Sequence, residues 1–410
     1  MRRFPAGFLW GVATSGHQTE GANTTSDTWF LEHRSPTVFR EPSGDACDSF
    51  RLWDVDLDLV AGLGANAYRF SVEWARVEPE PGRFSEAALR HYEAVVDGCL
   101  ARGLAPVVTC NHFTAPHWFA ARGGFLDDDA ARVFARYCGR LMAAFGHRLS
   151  QVVTLNEPNL HRLLRWLDLP DHVRRLEREM LEAAARDAGV ARYRVANVVL
   201  PEDADALDEG MTAAHRAARE TIRDHRPDLP VGWSLALVDD CVVGSDTSVR
   251  DRKRAELYDP YLAVAVDDDF VGVQNYERRW YDGEGEVIPR PDAPRNDMGS
   301  LIDPASLAGA VSYAHQRTGR PILVTEHGMS TADDQLRTAF LEPSLEALGR
   351  AMDDGVPVLG YLHWSLLDNW EWVFGHEGHL GLVAVDRTTF SRTPKPSAAE
   401  LARLVKAASG

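Results

Sequence analysis

Eight short apolar runs punctuate the chain, at residues 8–14, 67–72, 106–111, 152–156, 231–237, 270–276, 322–325 and 358–364. Each is followed by a stretch able to hold a helix. Runs such as Pro106-Val107-Val108-Thr109 and Ile322-Leu323-Val324 are nearly continuous hydrophobics, which suits strands covered on both faces rather than half-exposed ones. Between them, residues 54–63, 85–102, 127–145, 210–224 and 304–318 carry apolar side chains at three- and four-residue spacing. Ser85 and Asp127 are N-cap candidates, and Pro396 opens a last helix over 397–408. Eight strand-helix units predict an α/β fold, a single (β/α)8 TIM barrel over residues 1–410.

The fourth run, Val152-Val153-Thr154-Leu155, ends in Asn156-Glu157-Pro158. Proline cannot donate to a sheet ladder, so Pro158 closes the strand and leaves Asn156 and Glu157 at its C-terminal tip. That is the end at which a parallel barrel carries its chemistry. The seventh run repeats the design, with Glu326 in the tip position, then His327 and Gly328, the latter free to turn. A single Glu after a strand is much more often a solvated loop residue than a catalyst. Two at matching tips of one barrel can face each other across its mouth. Glycoside hydrolysis needs such a pair, one acid to protonate the leaving oxygen and one to attack or to activate water.

Sugar recognition needs aromatic faces and polar side chains, and the residues after the eighth run supply both. Trp364, Trp370 and Trp372 stand there among Asp368, Asn369 and Glu371, and three tryptophans beside charges are hard to assign to a core. Gly16-His17-Gln18-Thr19-Glu20-Gly21 follows the first run and Asn111-His112-Phe113 the third. Taken singly, His112 is as readily a structural histidine as a ligand contact. Arg69 lies inside the second run, where an unpaired guanidinium is costly, so a buried carboxylate partner is expected, with Glu326 the candidate.

The segment 159–229 is less orderly, with a charged helical stretch at 172–188 and an acidic tract at 202–209 ahead of the helix that leads to the fifth strand. Its bland reading is a solvated excursion on the barrel rim. Coming directly after Glu157, it can also wall the leaving-group site.

Composition narrows the partners. At 410 residues and 45% hydrophobic, with no linker-like or repetitive tract, the chain can bury one large core. A net charge of -17 argues against a nucleic-acid partner and fits a neutral small-molecule substrate. Met1-Arg2-Arg3 and the apolar stretch behind it make a faint export signal, but Pro5, Gly7 and Gly11 interrupt it, and it reads as the first strand. No run approaches the roughly 20 apolar residues of a membrane span. Five cysteines, an odd number without C-x-x-C spacing, indicate neither a disulfide framework nor a zinc site. A reducing, cytoplasmic location is expected, with no metal and no cofactor; homo-oligomerisation is left open.

Together these residues resemble glycoside hydrolase family 1, the β-glucosidase family, from Phe8 to about Thr393. The matching pieces are Phe8-Leu9-Trp10-Gly11, Gln18 with Glu20-Gly21, Asn66-Ala67-Tyr68-Arg69-Phe70-Ser71, Thr154 to Pro158, Thr325 to Gly328 and Trp364 to Trp372. The resemblance implies a retaining β-glycosidase, with Glu157 as acid/base and Glu326 as nucleophile. It implies that Gln18, His112, Asn156, Glu371 and Trp372 bind sugar hydroxyls, that Trp364 stacks under the ring, and that Arg69 and Tyr276 hold the nucleophile. It also implies a cis peptide between Trp364 and Ser365. Three positions depart from the family's pattern: Gln274 for asparagine, His327 for asparagine and Phe113 for tryptophan. They bear on substrate preference and remove no catalytic group. A phosphosugar-specific branch is similar to a version with serine at position 371, whereas Glu371 here would repel a 6-phosphate. The expected activity is therefore hydrolysis of an unphosphorylated β-glycoside, most simply a β-glucoside. The rivals are transfer to an alcohol acceptor and non-hydrolytic sugar binding on the same fold.

Overall fold

The computed structural model describes residues 3–167, 169–288 and 291–409. Its eight central strands are β1 (Leu9–Ala13), β2 (Ala67–Ser71), β3 (Ala105–Asn111), β4 (Gln151–Asn156), β5 (Val231–Ala236), β6 (Val271–Asn275), β7 (Ile322–His327) and β8 (Val358–Trp364). Neighbours in sequence pair in parallel, and β1 pairs with β8 as well as with β2, so the sheet closes into a (β/α)8 barrel. Every strand end falls within two residues of the run that predicted it. Burial on both faces explains this legibility: the inside is filled by Ala13, Ala67, Val107, Val153, Leu323 and Leu362, the outside by a larger core shared with the helices.

Two strands break the two-residue alternation. The pairing of β4 with β5 shifts register between Val153 and Asn156, and that of β7 with β6 shifts between Val324 and Glu326. Such irregularities re-aim side chains at the ends of strands. Here they turn Asn156 and Glu326 into the barrel mouth although Val153 and Leu323, three residues earlier, already face inward.

The helices follow the predicted periodicity with two corrections. Ser85 caps helix Glu86–Ala101 by accepting from Ala88 N at 3.2 Å. Asp127 does not cap the next one: helix Ala130–Phe145 begins after Asp129, and the Asp127 carboxylate accepts from the Asp129 N–H in the loop instead. The helix expected from residue 210 begins at Ala204 and runs to His225, because acidic side chains at 205, 208 and 209 favour the positive N-terminal end of a helix rather than a loop. Gly328 is not a turn residue either. A Cβ there would lie 2.0 Å from the Trp364 carbonyl oxygen, so the glycine is required by close approach of β7 to β8.

The segment after β4 is more than solvated surface. Met180, Leu181 and Ala184 of helix Asp171–Ala188 pack with Leu31, Phe39, Tyr193 and Trp370 into a second apolar cluster. Among the described residues no helix is long and apolar enough to cross a membrane, and all five cysteines are free thiols.

Candidate active site

A cavity of about 390 Å³ opens at the C-terminal end of the barrel. Gln18, His112, Glu157, Gln274, Tyr276, Glu326, Trp364, Glu371 and Trp372 line it, brought together from the C-terminal ends of six different strands and the loops that follow them. Arg69 and Asn156 lie just behind its wall.

Arg69 organises the floor. Its side chain is wholly buried, and its guanidinium reaches Glu326 Oε1 at 2.6 Å, the Thr325 carbonyl at 3.1 Å, Thr109 Oγ1 at 3.0 Å and Asn156 Oδ1 at 2.5 Å. The other Glu326 oxygen accepts from Tyr276 OH at 2.6 Å. Glu326 is thus held at both oxygens. Asn156 Oδ1 also accepts from Gln274 Nε2 at 2.6 Å, which leaves the Asn156 Nδ2 group facing His112 Nε2 at 3.3 Å. Burial, with Arg69 nearby, holds His112 neutral by pushing its pKa well below the ordinary value.

Glu157 is placed differently. Its backbone adopts a left-handed φ of 45°, uncommon for a residue with a side chain, and its N–H bonds the Ser234 carbonyl at 2.8 Å. Among the described residues no side chain hydrogen-bonds to its carboxyl. Burial is the largest cause raising its pKa well above the carboxylate range; the charge of Glu326 adds to the rise, and Arg69 opposes it. Burial raises Glu326 too, but there Arg69 and the Tyr276 hydrogen bond both pull downward. For Glu157, then, loss of water comes first and the charge of Glu326 second.

At the opposite wall, Glu371 is pushed up to about 8, by burial first and by the charge of Glu326 second. Its Oε1 is buried with no partner among the described residues, as are Gln274 Oε1 and His112 Nδ1. Polar atoms in that condition await a ligand or water. Gln18 is held by Ser15 Oγ at 2.7 Å and by its own donation to the Trp370 carbonyl at 2.9 Å. The His112 ring lies nearly parallel to those of Trp364 and Trp372, at 5.5 and 6.2 Å, and the Trp364–Ser365 peptide is cis.

Other sequence candidates go elsewhere. Trp370 is fully buried and belongs to the second apolar cluster, so two of the three tryptophans line the cavity, not three. Glu20 pairs with Arg76 at 2.7 Å and Tyr92 at 3.0 Å. His327 faces the helix layer, bonded to Tyr361 OH at 3.0 Å and stacked on Phe340. Of the three departures only Gln274 and Phe113 reach the cavity. What the sequence reading missed is Thr109 beneath Arg69 and a wall of leucines, Leu160, Leu163, Leu164 and Leu167. Their spacing was visible inside a segment read for its charge.

Comparison with known proteins points the same way. The sequence profile of glycosyl hydrolase family 1 matches residues 1–186 and 263–409. β-Glucosidase A of Thermotoga maritima is 29% identical over 99% of this chain and 98% of its own. A bifunctional β-D-glucosidase/β-D-fucosidase of Bifidobacterium breve is 30% identical over 96% of each chain. Among solved structures, an apo β-glucosidase superposes with a TM-score of 0.93 at 40% identity, over 98% of both chains. The chain therefore belongs to glycosyl hydrolase family 1 and is a glycoside hydrolase.

Proposed function

We propose that the described chain works as one catalytic unit, a retaining β-glycosidase that releases the terminal sugar, glucose in the first instance, from unphosphorylated β-glycosides. The observation that carries this reading is the unequal treatment of the two carboxyls. Glu326 is held at both oxygens by Arg69 and Tyr276, whereas the Glu157 carboxyl has no side-chain partner among the described residues and is pushed well up. Pairs of acids whose surroundings push their pKa values apart are the mark of an acid and a nucleophile sharing one site. The relatives named as β-glucosidases support the choice of sugar.

In the first step Glu326 forms a bond to the anomeric carbon as the bond from that carbon to the leaving oxygen breaks. Glu157 gives its proton to the departing oxygen. In the second, water attacks the same carbon, its proton passes to Glu157, and Glu326 leaves as a carboxylate. This double displacement asks for carboxyls about 5 to 5.5 Å apart. Gln18, His112, Asn156, Glu371 and Trp372 take the sugar hydroxyls and Trp364 lies under the ring, with Gln274 fixing Asn156. Glu371, at about 8, is largely protonated at neutral pH, so charge repulsion by Glu371 is not what excludes a phosphosugar. The exclusion rests on the lack of a free cation among the described lining residues: Arg279, the one cation among them, is bonded to Glu277 and Glu286.

The test is the anomer released first from an aryl β-glucoside, followed by NMR with and without methanol. Initial β-glucose, and methyl β-glucoside when methanol is present, is the expected result. Initial α-glucose would contradict it, and no release from any β-glycoside would favour plain sugar binding.

A further inference from the structure

The wall of the cavity changes character beyond the sugar-sized end. Leu160, Leu163, Leu164 and Leu167 all line it, and their spacing puts them on one face of helix Leu160–Trp166 and its C-terminal cap. That face is fixed from behind. His161 Nε2 lies 2.7 Å from Asp208 Oδ1 and Arg162 Nε 2.8 Å from Asp208 Oδ2. Asp208 stands on helix Ala204–His225, which packs against the barrel. The polar side of the short helix is thus latched to the scaffold, and its leucines are turned to the cavity.

Leu237, Val238, Met298 and Phe374 line the same cavity. Met298 and Phe374 are 48% and 52% exposed at this mouth, an arrangement that leaves apolar surface uncovered until something apolar covers it. Arg279, Glu277, Ser300 and the Asn296 side-chain oxygen, on the same cavity, are already matched. Arg279 Nε donates to Glu277 Oε1 at 2.8 Å, Ser300 Oγ donates to the other Glu277 oxygen, and Asn296 Oδ1 accepts from the N–H groups of Met298 and Ser300 at 3.0 Å each. A second sugar placed here would exchange hydrated hydroxyls for leucine side chains. An aryl or alkyl group would exchange only apolar hydration.

We propose that the outer half of the cavity takes an apolar aglycone, aryl or alkyl, in preference to a second sugar, and that the leucine face of helix Leu160–Trp166 selects it. This inference rests on the hydrolytic reading above. It makes the segment after Glu157 a specificity element rather than rim decoration.

A series of n-alkyl β-glucosides from methyl to octyl, with cellobiose alongside, tests it. Two quantities are read: kcat/KM for the intact protein, and Kd for the Glu157→Gln variant by calorimetry. Each methylene up to hexyl is expected to raise kcat/KM and lower Kd by roughly 3-fold, with hexyl β-glucoside ahead of cellobiose. Leu164→Gln should flatten that slope. Values independent of chain length, a preference for cellobiose, or a slope untouched by both Leu164→Gln and Leu167→Gln would overturn the proposal. Chain-length-dependent Kd without any turnover would defeat the hydrolytic reading and leave the apolar site standing.

Discussion

Arg69 on β2 and Glu326 on β7 meet at 2.6 Å across the barrel floor, with both side chains almost completely out of solvent. A buried pair of this kind is costly to break from one side, by about 3 to 5 kcal/mol, because the remaining charge has no water to replace its partner. In Arg69→Met, Glu326 is expected to escape that cost by protonating. The acid limb of the pH–rate profile, which on the proposed mechanism reports ionisation of Glu326, should then move to higher pH, and kcat/KM near pH 6 should fall by roughly 100-fold or more. A profile that fell in height without moving would mean that Arg69 acts on packing alone.

On the proposed mechanism the basic limb belongs to Glu157. As the general acid it would have to carry a proton to release the leaving group, and its raised pKa keeps it protonated well above the usual carboxylate range. Activity should therefore persist through neutral pH and decline as Glu157 ionises. Glu157→Gln should lower kcat for a poor leaving group by roughly 10² to 10⁴, and far less for a dinitrophenyl glycoside, which needs no proton. Equal losses on both substrates would argue against acid catalysis by this residue.

Glu371 makes a prediction about stability. Its folded pKa of about 8 lies above the ordinary 4.5, so between those values the folded protein holds a proton that the unfolded chain has lost. Stability is then fully present below about pH 4.5 and declines as pH rises towards 8, by at most about 1.4 kcal/mol per pH unit from this group. Thermal melts of the intact protein and Glu371→Gln should diverge progressively from pH 5 to 8, with the variant the more stable at the upper end. Parallel curves would show that Glu371 is not raised.

The barrel was legible because its strands are covered on both faces and so read as unbroken apolar runs, and because Pro158 marks one strand tip plainly. How Asn156 and Glu326 come to face inward was not: register shifts in β4 and β7 break the alternation that a sequence reading assumes. Charge also misled twice in one segment. Acidic residues at 205, 208 and 209 proved to be the first turns of a helix, and the charged stretches at 172–188 and 202–209 drew notice away from four leucines at cavity spacing just before them. Trp370 shows the limit of composition, since nothing in the sequence separates a tryptophan under Phe39 from one beside a sugar.

The most direct test of the whole account is the fate of Glu326→Ala with an aryl β-glucoside, with and without sodium azide. Loss of hydrolysis in buffer, with azide restoring turnover and giving the α-glucosyl azide, is the predicted result, because a small anion then occupies the place of the missing carboxylate. Hydrolysis that survives the substitution without azide, or a β-configured azide product, would contradict a covalent mechanism through Glu326.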